Sequence, residues 1–439
     1  MSEARIVFTG ARLLDGEHPA REGATVVVEG RRIAAVAAGP VEARPGDRVV
    51  PLAGRTLMPG MVQGHFHSGF GAFGDGIASP VLGLEAPAAY TGMLAAKNAR
   101  TALHCGFTSV IGSSNGDYVD VCLKDAVVRR HVEGSRVFAC SREYVSSGEM
   151  AEGTNRSWFM DLGNLGLLRR VDGAEAFRQA AREDIGRGCD VIKISAAPGH
   201  GACPARDMCY LTPAELEAVV ETAHERGKRV RAHCPSRKAI LMCARAGVDI
   251  IDHADLMDAE CIDAILEADA SVCPSMLWSV RFLGLAEGWD HGASLFPIGE
   301  GIPETLDDTL ERLRGVRRDF EHTCRIVPEA HRAGVRMLVG DDFGTPLMPH
   351  GDYVSELEIY VKQLGIPALD VLRWATKNGA EAAGAGAQLG TVERGKLADL
   401  LVVDGHPDAD ISLLRDPARM PAIVKEGAFV RDALGRSER

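Results

Sequence analysis

The sequence predicts an α/β fold, a (β/α)₈ TIM barrel with a small β-sandwich subdomain built from both chain termini. Three observations predict it. Short strands with turn signals occupy both ends of the 439-residue chain. The middle alternates eight short apolar strands with helical stretches, and five of these strands carry a histidine, lysine or aspartate within them or at their ends. We place the subdomain at 1–57 plus 387–439 and the barrel at 58–386.

Both chain ends consist of short apolar runs separated by glycine and aspartate turn signals. Near the N-terminus these are RIVFTGARLLDG and ATVVVEGRRIAAVAAG, and near the C-terminus LGTVERGKLADLLVVDG and ARMPAIVKEGAFVRD. Runs rich in β-branched residues and bounded by such turns are typical of antiparallel hairpins. We therefore expect one β-rich subdomain assembled from both ends.

The barrel prediction comes from the middle of the chain, where strand candidates alternate with helices. One helix is clear in detail, because Thr212 and Glu215 form a capping box around Pro213 and an apolar stripe follows as far as Gly227. Strands flank this helix, as a βαβ unit requires. The eight strand candidates are the segment ending at His65 and His67, TSVIGS, RVFACS, VIKIS, RVRAHC, DIIDHAD, SVCPSM and RMLVGDD.

The composition argues against several classes of protein. A net charge of -12 without a run of Lys or Arg disfavours a nucleic-acid partner. No apolar segment approaches the ~18 residues of a membrane span. Eleven scattered cysteines without a C-x-x-C pair indicate a reducing compartment. We expect a cytoplasmic homo-oligomer that acts on a small-molecule substrate and has no nucleic-acid or membrane partner.

The strand ends carry residues that suit a metal ion. In a barrel, chemistry gathers at the C-terminal ends of the strands. His65 and His67 end the first strand two positions apart, so both imidazoles can face one ion. His233, His253 and Asp342 end the fifth, sixth and eighth strands. Neutral imidazole and carboxylate oxygens suit a divalent metal, and we expect Zn²⁺, with Mn²⁺, Co²⁺ or Fe²⁺ as alternatives.

Lys193 is the odd member of this set, because an ammonium group repels a cation. It lies inside the fourth strand, VIKIS, among apolar residues that can depress its pKa. A neutral amine can take up CO₂ to become a carbamate, an anion able to bridge two ions. We expect N6-carboxylysine at Lys193. Each residue alone is more often structural, and the joint pattern carries the prediction.

The segment from Gly69 to Gly74 offers a competing interpretation, since it matches the G-x-G-x-x-G pattern of dinucleotide-binding turns. Such a turn must open directly into a helix. Here Asp75 to Pro80 follows and breaks any helix. We therefore predict no cofactor-binding residues besides the metal ligands, and treat the glycines as loop-forming.

Several stretches resemble the metal-dependent amidohydrolase superfamily across nearly the whole chain. LMPGMVQGHFH resembles its LPG-hydrophobic-D-x-H-x-H opening, CGFTSV its GFTTV segment and IDHADLMD its EHA segment, while LGTVERGKLADLLVVDGHP resembles its highly specific closing motif. VIKIS followed by LTPAEL is most similar to the branch with imidazolonepropionase-like, Xaa-Pro dipeptidase-like and ochratoxin-amidase-like members.

The resemblance implies a ligand set and a fold that pairs a barrel with a terminal β-sandwich. It assigns His65, His67 and Asp342 to one ion and His233 and His253 to a second, with carboxylated Lys193 bridging them. This chain departs from the pattern by Gln63 two positions before the first histidine, by Asp252 in place of Glu and by Cys234-Pro235 after the fifth-strand histidine. A one-metal site therefore stays open.

Other positions are candidates for substrate contacts. Arg142 and Tyr144 end the third strand and could orient a substrate carbonyl or carboxylate, or serve packing. His200 and His350 lie on loops after the fourth and eighth strands, where each could contact substrate or serve a structural role. The aromatic segment 277–302 could form a lid, a packed loop or an oligomer contact.

The predicted function is metal-dependent hydrolysis of an amide-type C–N bond in an N-acyl amino acid, a dipeptide or an aryl amide. Asp342 is the predicted catalytic proton shuttle. Alternatives are a urea or carbamate hydrolase using the same residues, a one-metal deaminase or cyclic-amidine hydrolase, and a non-catalytic metal-binding relative. The predicted burial of a lysine inside the site counts against the deaminase.

Overall fold

The computed structural model describes residues 5–71, 86–149, 166–201, 203–287, 289, 305–345 and 347–434. The chain divides into two compact units. The first comprises Met1–Gln63, Arg100–Val110 and Gly351–Arg439, and the second comprises Gly64–Ala99 and Ile111–His350.

The helices and strands follow one another in a regular order, strands first, then a long alternating section, then helices and strands again. In chain order they are β1 (Arg5–Leu13), β2 (Arg21–Glu29), β3 (Arg32–Ala37), β4 (Arg48–Pro51), β5 (Arg55–Pro59), β6 (Met61–Phe66), α1 (Ala88–His104), β7 (Phe107–Gly112), α2 (Val119–Val128), β8 (Arg136–Phe138), β9 (Cys140–Val145), β10 (Leu168–Arg170), α3 (Ala174–Arg187), β11 (Val191–Ser195), α4 (Pro213–His224), β12 (Arg229–His233), α5 (Arg237–Ala246), β13 (Ile250–Asp252), α6 (Ala259–Glu267), β14 (Ser271–Cys273), α7 (Leu277–Glu287), α8 (Leu306–Ala333), β15 (Arg336–Met337), α9 (Tyr353–Glu358), α10 (Ala368–Arg373), α11 (Gly379–Ala382), β16 (Leu400–Asp404), β17 (Ala422–Lys425) and β18 (Ala428–Asp432).

The first unit contains an eight-stranded sheet made from both chain ends, in the order β18-β17-β16-β5-β1-β2-β3 with β4 also paired to β1. In the antiparallel pair of β1 and β2, Phe8 lies opposite Val26. Alternate residues of these strands, with Leu400 and Val424, enter one apolar core because successive strand side chains point to opposite faces. The hydrogen bonds join all eight strands into a single sheet, so the predicted β-sandwich stays a prediction.

The second unit contains a seven-stranded sheet in the order β10-β9-β11-β12-β13-β14-β15. All of its pairs are parallel. Helices follow β10 to β14 in turn, which is the alternation expected of βαβ units. The pairing of β12 with β13 sets His233 opposite Asp252, and β11 sets Lys193 opposite Arg231. The parallel register thus gathers the polar residues of neighbouring strands.

Helix α4 begins as the sequence predicts. The Thr212 hydroxyl accepts a hydrogen bond from the Glu215 backbone N–H, and the Glu215 carboxylate accepts one from the Thr212 N–H at 2.8 Å. Pro213 occupies the first helical position, where its missing N–H would have no helical partner. Glycine follows at Gly227, in the left-handed region with φ +64°.

A further sheet has the order β6-β7-β8, and its first strand leads into the histidine pair. The Gly64 N–H donates to the Val339 carbonyl at 2.7 Å, which ties the first strand of the series to the segment after the last. Strands occur in all eight predicted segments, but RVFACS is divided between β8 and β9, which belong to different sheets, and β10 is an addition. The chain bounds proposed for the two subdomains remain a prediction. Among the described residues, no helix combines the length and apolar character needed to cross a bilayer.

Candidate metal centre

Three side chains from the two ends of the strand series meet at one point. The Nε2 atom of His65 lies 2.8 Å from Oδ1 of Asp342, and Nε2 of His67 lies 3.1 Å from the same oxygen. The two Nε2 atoms are 3.1 Å apart. His65 lies within β6, His67 directly follows it, and Asp342 lies five residues beyond β15. One nitrogen or oxygen from each residue thus faces a common centre.

This donor set fits a divalent ion. A tetrahedral zinc ion with nitrogen and oxygen ligands about 2.0–2.1 Å away holds its ligand atoms about 3.3 Å apart. The three spacings are close to that value. His253 joins the group, since one ligand atom each from His65, His253 and Asp342 lie within 4.8 Å of one another. Two imidazoles and a carboxylate, largely buried, supply the nitrogen and oxygen donors that suit such an ion.

The protonation states favour ligation. Burial lowers the pKa of His67 to about 4, so the ring is neutral near pH 7. Its Nδ1 lies 3.2 Å from the Ser114 carbonyl, a contact that places the ring proton on Nδ1 and leaves the Nε2 lone pair for an ion. Although burial opposes its charge, Asp342 has a pKa well below the usual range because His65 and His67 stabilise the carboxylate.

Asp341 precedes Asp342 and has a different role. Its carboxylate accepts the backbone N–H groups of Leu277 and Trp278 at 2.7 and 3.1 Å and that of Asp342 at 2.7 Å. These bonds satisfy donors at the start of α7 and fix the backbone that carries Asp342. Burial and the neighbouring Asp342 charge raise the pKa of Asp341 to about 6.

Lys193 is buried, as its strand pattern predicts, and lies beside this cluster. Its Nζ donates to Oδ2 of Asp252 at 2.7 Å and to Oγ of Ser113 at 3.3 Å. The same Ser113 oxygen lies 2.8 Å from Nε2 of His65. Oγ of Ser113 therefore links the Lys193 amine to His65, a candidate ligand.

His233 and His253 form a second pair, with ring centroids 4.6 Å apart and nearly perpendicular rings. The ring centroids of His65 and His253 are 5.5 Å apart, which links the two pairs. Nε2 of His233 contacts the Gly199 carbonyl at 3.1 Å. Burial lowers the pKa of His233 to about 3 and that of His253 well below its usual range, so both rings are neutral near pH 7.

Asp252 accepts hydrogen bonds from two buried basic residues, Lys193 and Arg231. The sequence interpretation did not predict the contact with Arg231. Arg231 donates to both carboxylate oxygens of Asp252, at 2.6 and 3.1 Å, and to the Gly112 carbonyl at 2.8 Å. Both side chains are fully buried. The available signal was a charged residue inside an apolar strand, two positions before His233.

Glu143 is another residue that the sequence interpretation missed. It lies opposite Lys193 in the pairing of β9 with β11. Burial raises the pKa of its carboxyl group, while the Lys193 charge opposes that shift. The sequence interpretation selects its neighbours Arg142 and Tyr144 as substrate contacts. A strand that is polar on both faces gives no sequence signal for which of its residues point inward.

The substrate-contact candidates fall in different places. The Tyr144 hydroxyl donates to Asp184 of α3 at 2.8 Å, so the structure does not bring it to the histidine cluster. Arg142 is buried on the same strand. Nε2 of His350 contacts the His67 carbonyl at 3.1 Å, next to the cluster, and burial lowers the pKa of His350 to about 3.

His200 lies against the cluster. Its Nδ1 is 3.0 Å from Oδ1 of Asp255, and its ring stacks on His253 with centroids 3.7 Å apart. Burial opposes protonation, but the Asp255 charge outweighs it and raises the pKa of His200 to about 9. Of the predicted lid 277–302, residues 277–287 form α7 and residue 289 is described, while 288 and 290–302 lie outside the described residues.

Comparison with known proteins shows the family of this chain. The profile of the amidohydrolase family matches residues 56–430, and the chain belongs to that family. It is 25% identical to the ochratoxinase of Aspergillus niger over 394 residues, which cover 85% of this chain and 75% of that protein. It is therefore a hydrolytic enzyme that acts on C–N bonds.

Solved structures are similar along almost the whole length. A Xaa-Pro dipeptidase crystallised with methionine in its active site superposes with a TM-score of 0.82 at 24% identity, covering 98% of this chain and 100% of that one. A prolidase complexed with N-methylphosphonate-L-proline gives 0.79 at 28% identity over the same shares. The chain lies in the branch of the family that includes such proteins.

Proposed function

We propose that this protein hydrolyses an amide-type C–N bond in a small molecule, namely an N-acyl amino acid, a dipeptide or an aryl amide. The observation that carries the proposal is the convergence of His65, His67 and Asp342 on one point, with mutual distances of 2.8 to 3.1 Å. The ochratoxinase and dipeptidase similarities support a bond of this type.

The proposed metal centre uses six residues. His65, His67 and Asp342 would hold one divalent ion, and His233 and His253 a second. Lys193 would bridge the two as N6-carboxylysine, since its Nζ is buried and contacts the Ser113 hydroxyl that also contacts His65. Zn²⁺ is the preferred ion, because imidazole and carboxylate ligands suit it, and Mn²⁺, Co²⁺ or Fe²⁺ are chemically acceptable.

A divalent ion bound here supplies Lewis acidity that polarises the substrate carbonyl and lowers the pKa of water. The protein supplies the proton transfer. Asp342 is ionised and 19% exposed, so its carboxylate can accept the proton of the attacking water. It then delivers this proton to the leaving nitrogen, which departs as a neutral amine.

Neighbouring residues keep this carboxylate and its partners in position. Asp341 accepts the Asp342 backbone N–H and anchors the segment to the start of α7. Nδ1 of His67 contacts the Ser114 carbonyl, and Nε2 of His350 contacts the His67 carbonyl. These contacts orient the reacting groups before substrate arrives, which lowers the cost of organising them during the reaction.

The fold proposed with this function is a closed (β/α)₈ barrel joined to a β-sandwich built from the chain ends. The Gly64 to Val339 hydrogen bond supports closure, because it joins the first strand of the series to the segment after the last. Residues at the C-terminal strand ends then share one face, as the mechanism needs.

The test is turnover by purified protein of N-benzoyl-L-phenylalanine, leucyl-proline, an anilide and phenylurea, with amine release as the readout. We expect hydrolysis of at least one of the first three compounds, loss of it after chelation and recovery with Zn²⁺ or Mn²⁺. Hydrolysis of phenylurea alone would replace the proposal by the urea alternative. Metal-loaded protein that cleaves none of these compounds would contradict it.

A further inference from the structure

We propose that Asp120 positions His67 for the metal ion through a buried polar cluster. The inference rests on the proposed function, because the ion is the one assigned to His67 and its two partners. Asp120 acts through its neighbours and is a positioning residue, not a ligand. The Asp120 cluster lies in the second unit, and its side chains are at most 3% exposed, namely those of Ser68, Asn98, Asn115 and Asp120.

Asp120 lies in the first turn of α2, and its carboxylate accepts three hydrogen bonds. Oδ1 accepts one from the Ser68 hydroxyl at 2.5 Å and one from the Asn115 amide at 2.7 Å, and Oδ2 accepts one from the Cys140 backbone N–H at 3.1 Å. Gly112 leaves room for this carboxylate, since a Cβ there would lie 2.1 Å from Oδ2. One side chain thus joins the loop after β6, the loop before α2 and the start of β9.

The two asparagines of the cluster hold the segment directly after His67. Asn115 donates to the Ser68 hydroxyl at 2.9 Å, and its amide oxygen accepts the backbone N–H of the next residue at 3.1 Å. The Asn98 amide donates to the carbonyls of Ser68 and Phe70, both at 2.8 Å. These bonds give backbone groups of the loop their partners and fix its path.

Two of the segments that the cluster joins contact the His67 ring. Phe70 stacks on one face, with ring centroids 4.1 Å apart and an interplanar angle of 6°. Nδ1 lies 3.2 Å from the carbonyl of Ser114, the residue before Asn115. A face contact and an edge contact together set the direction of Nε2, which lies 3.1 Å from Oδ1 of Asp342. A shift of the cluster would therefore turn the imidazole away from the common centre.

A carboxylate suits this position, because all three of its neighbours are donors. An asparagine has only one acceptor oxygen, so its NH₂ group would face either the Cys140 N–H or the donors from Ser68 and Asn115. At least one buried donor would lose its partner, and the segments would move apart to relieve the contact. Residues that orient a ligand without touching the ion are typically worth about 10- to 100-fold in metal affinity.

The test compares Asp120→Asn with Ser68→Ala, which removes the other partner of the same hydrogen bond and remains informative if Asp120→Asn does not fold. Asp184→Asn and Ser135→Ala are the matched controls. Asp184 is fully buried and accepts two tyrosine hydroxyls at 2.8 Å, and Ser135 is fully buried and donates to a backbone carbonyl at 3.2 Å. Co²⁺ is titrated into each metal-free protein, and its affinity, its visible absorption spectrum and the midpoint of thermal unfolding are measured.

We expect Asp120→Asn to lower the affinity for Co²⁺ by about 10- to 100-fold and to change the visible spectrum, which reports the arrangement of ligands around the ion. Ser68→Ala should show a smaller change of the same kind. The double variant should lose little more affinity than Asp120→Asn alone, because both substitutions remove the same contact. Asp184→Asn and Ser135→Ala should keep the wild-type affinity and spectrum, although Asp184→Asn should lower the unfolding midpoint.

Two outcomes would overturn the proposal. Wild-type affinity and spectrum in both Asp120→Asn and Ser68→Ala would show that the cluster does not position the ligand. An equal loss of affinity in Asp184→Asn would assign the effect to general destabilisation. Failure of the proposed function is a separate result, because it is seen in metal-loaded wild-type protein that hydrolyses none of the panel, whereas Co²⁺ affinity is measured without substrate.

Discussion

Oδ1 of Asp342 lies 2.8 Å from Nε2 of His65, although His65 lies in the first strand of the series and Asp342 lies five residues beyond the last. A carboxylate so close to an imidazole can form an ion pair, share a proton or share an ion. The neutral His67 ring, which contacts the same oxygen, supports the shared ion that we propose. In the proposed mechanism Asp342 is therefore both a ligand and the base.

Asp342→Asn should separate these two roles. The amide oxygen can still coordinate an ion, but the side chain can no longer take up and pass on a proton. We expect kcat to fall by about 10²- to 10⁴-fold, the range for losing a general acid–base group, with metal content largely kept. Steady-state kinetics and elemental analysis check this, with the exposed Asp269→Asn as control. A rate near wild type would refute the shuttle role.

Arg231→Met should destabilise the second unit strongly. The substitution leaves the Asp252 carboxylate, which accepts two hydrogen bonds from Arg231, buried with one partner fewer. Breaking a buried pair in this way costs about 3–5 kcal/mol. The control is Arg229→Met on the same strand, whose side chain is 41% exposed and pairs with Asp249, where we expect about 1 kcal/mol or less. Urea unfolding distinguishes the two, and equal losses would contradict a special role for the buried pair.

Gly340→Ala should disturb the His65 position. A Cβ there would lie 2.3 Å from the His65 backbone nitrogen, and its φ of +149° disfavours other residues. We expect lower metal affinity together with a lower midpoint of thermal unfolding. Gly334→Ala is the control, because Gly334 has φ +96° with open space around it, so only the backbone cost of about 1–2 kcal/mol applies. Wild-type metal affinity in Gly340→Ala would be the contrary result.

Metal-free protein should be most stable near neutral pH. The pKa values of His67 and His233 fall to about 4 and 3 on folding, so between pH 6.5 and 4 the unfolded chain binds more protons and stability falls as pH falls. The pKa of His200 rises to about 9, so from pH 6.5 to 9 its contribution is lost as pH rises. Thermal unfolding midpoints from pH 5 to 9 check this, and a steady rise of the midpoint down to pH 5 would contradict it.

Much of this candidate site could be predicted from the sequence, because its residues lie at or just beyond strand ends. His65 and His67 are two positions apart, and the two-residue repeat of a strand places both side chains on the same face. The parallel order of strands then brings His233 and His253 together without knowledge of any loop. The capping box of α4 was equally local, since its signal lies within four residues.

The remaining features depend on contacts that no short stretch contains. Glu143 faces Lys193 and Tyr144 faces Asp184, and only the pairing of β9 with β11 decides which residue points inward. Arg231 and Asp252 lie on different strands, so neither residue's position in the sequence indicates that the other is its partner. Asp255 likewise becomes informative only once the loop after β11 places His200 beside it.

Elemental analysis of protein purified without added metal, combined with the hydrolysis rate before and after chelation, tests the central claim most directly. We expect one or two divalent ions per chain, loss of hydrolysis when they are removed, and recovery when Zn²⁺ or Mn²⁺ is restored. Protein that hydrolyses its substrate at an unchanged rate after its divalent ions have been removed would contradict it.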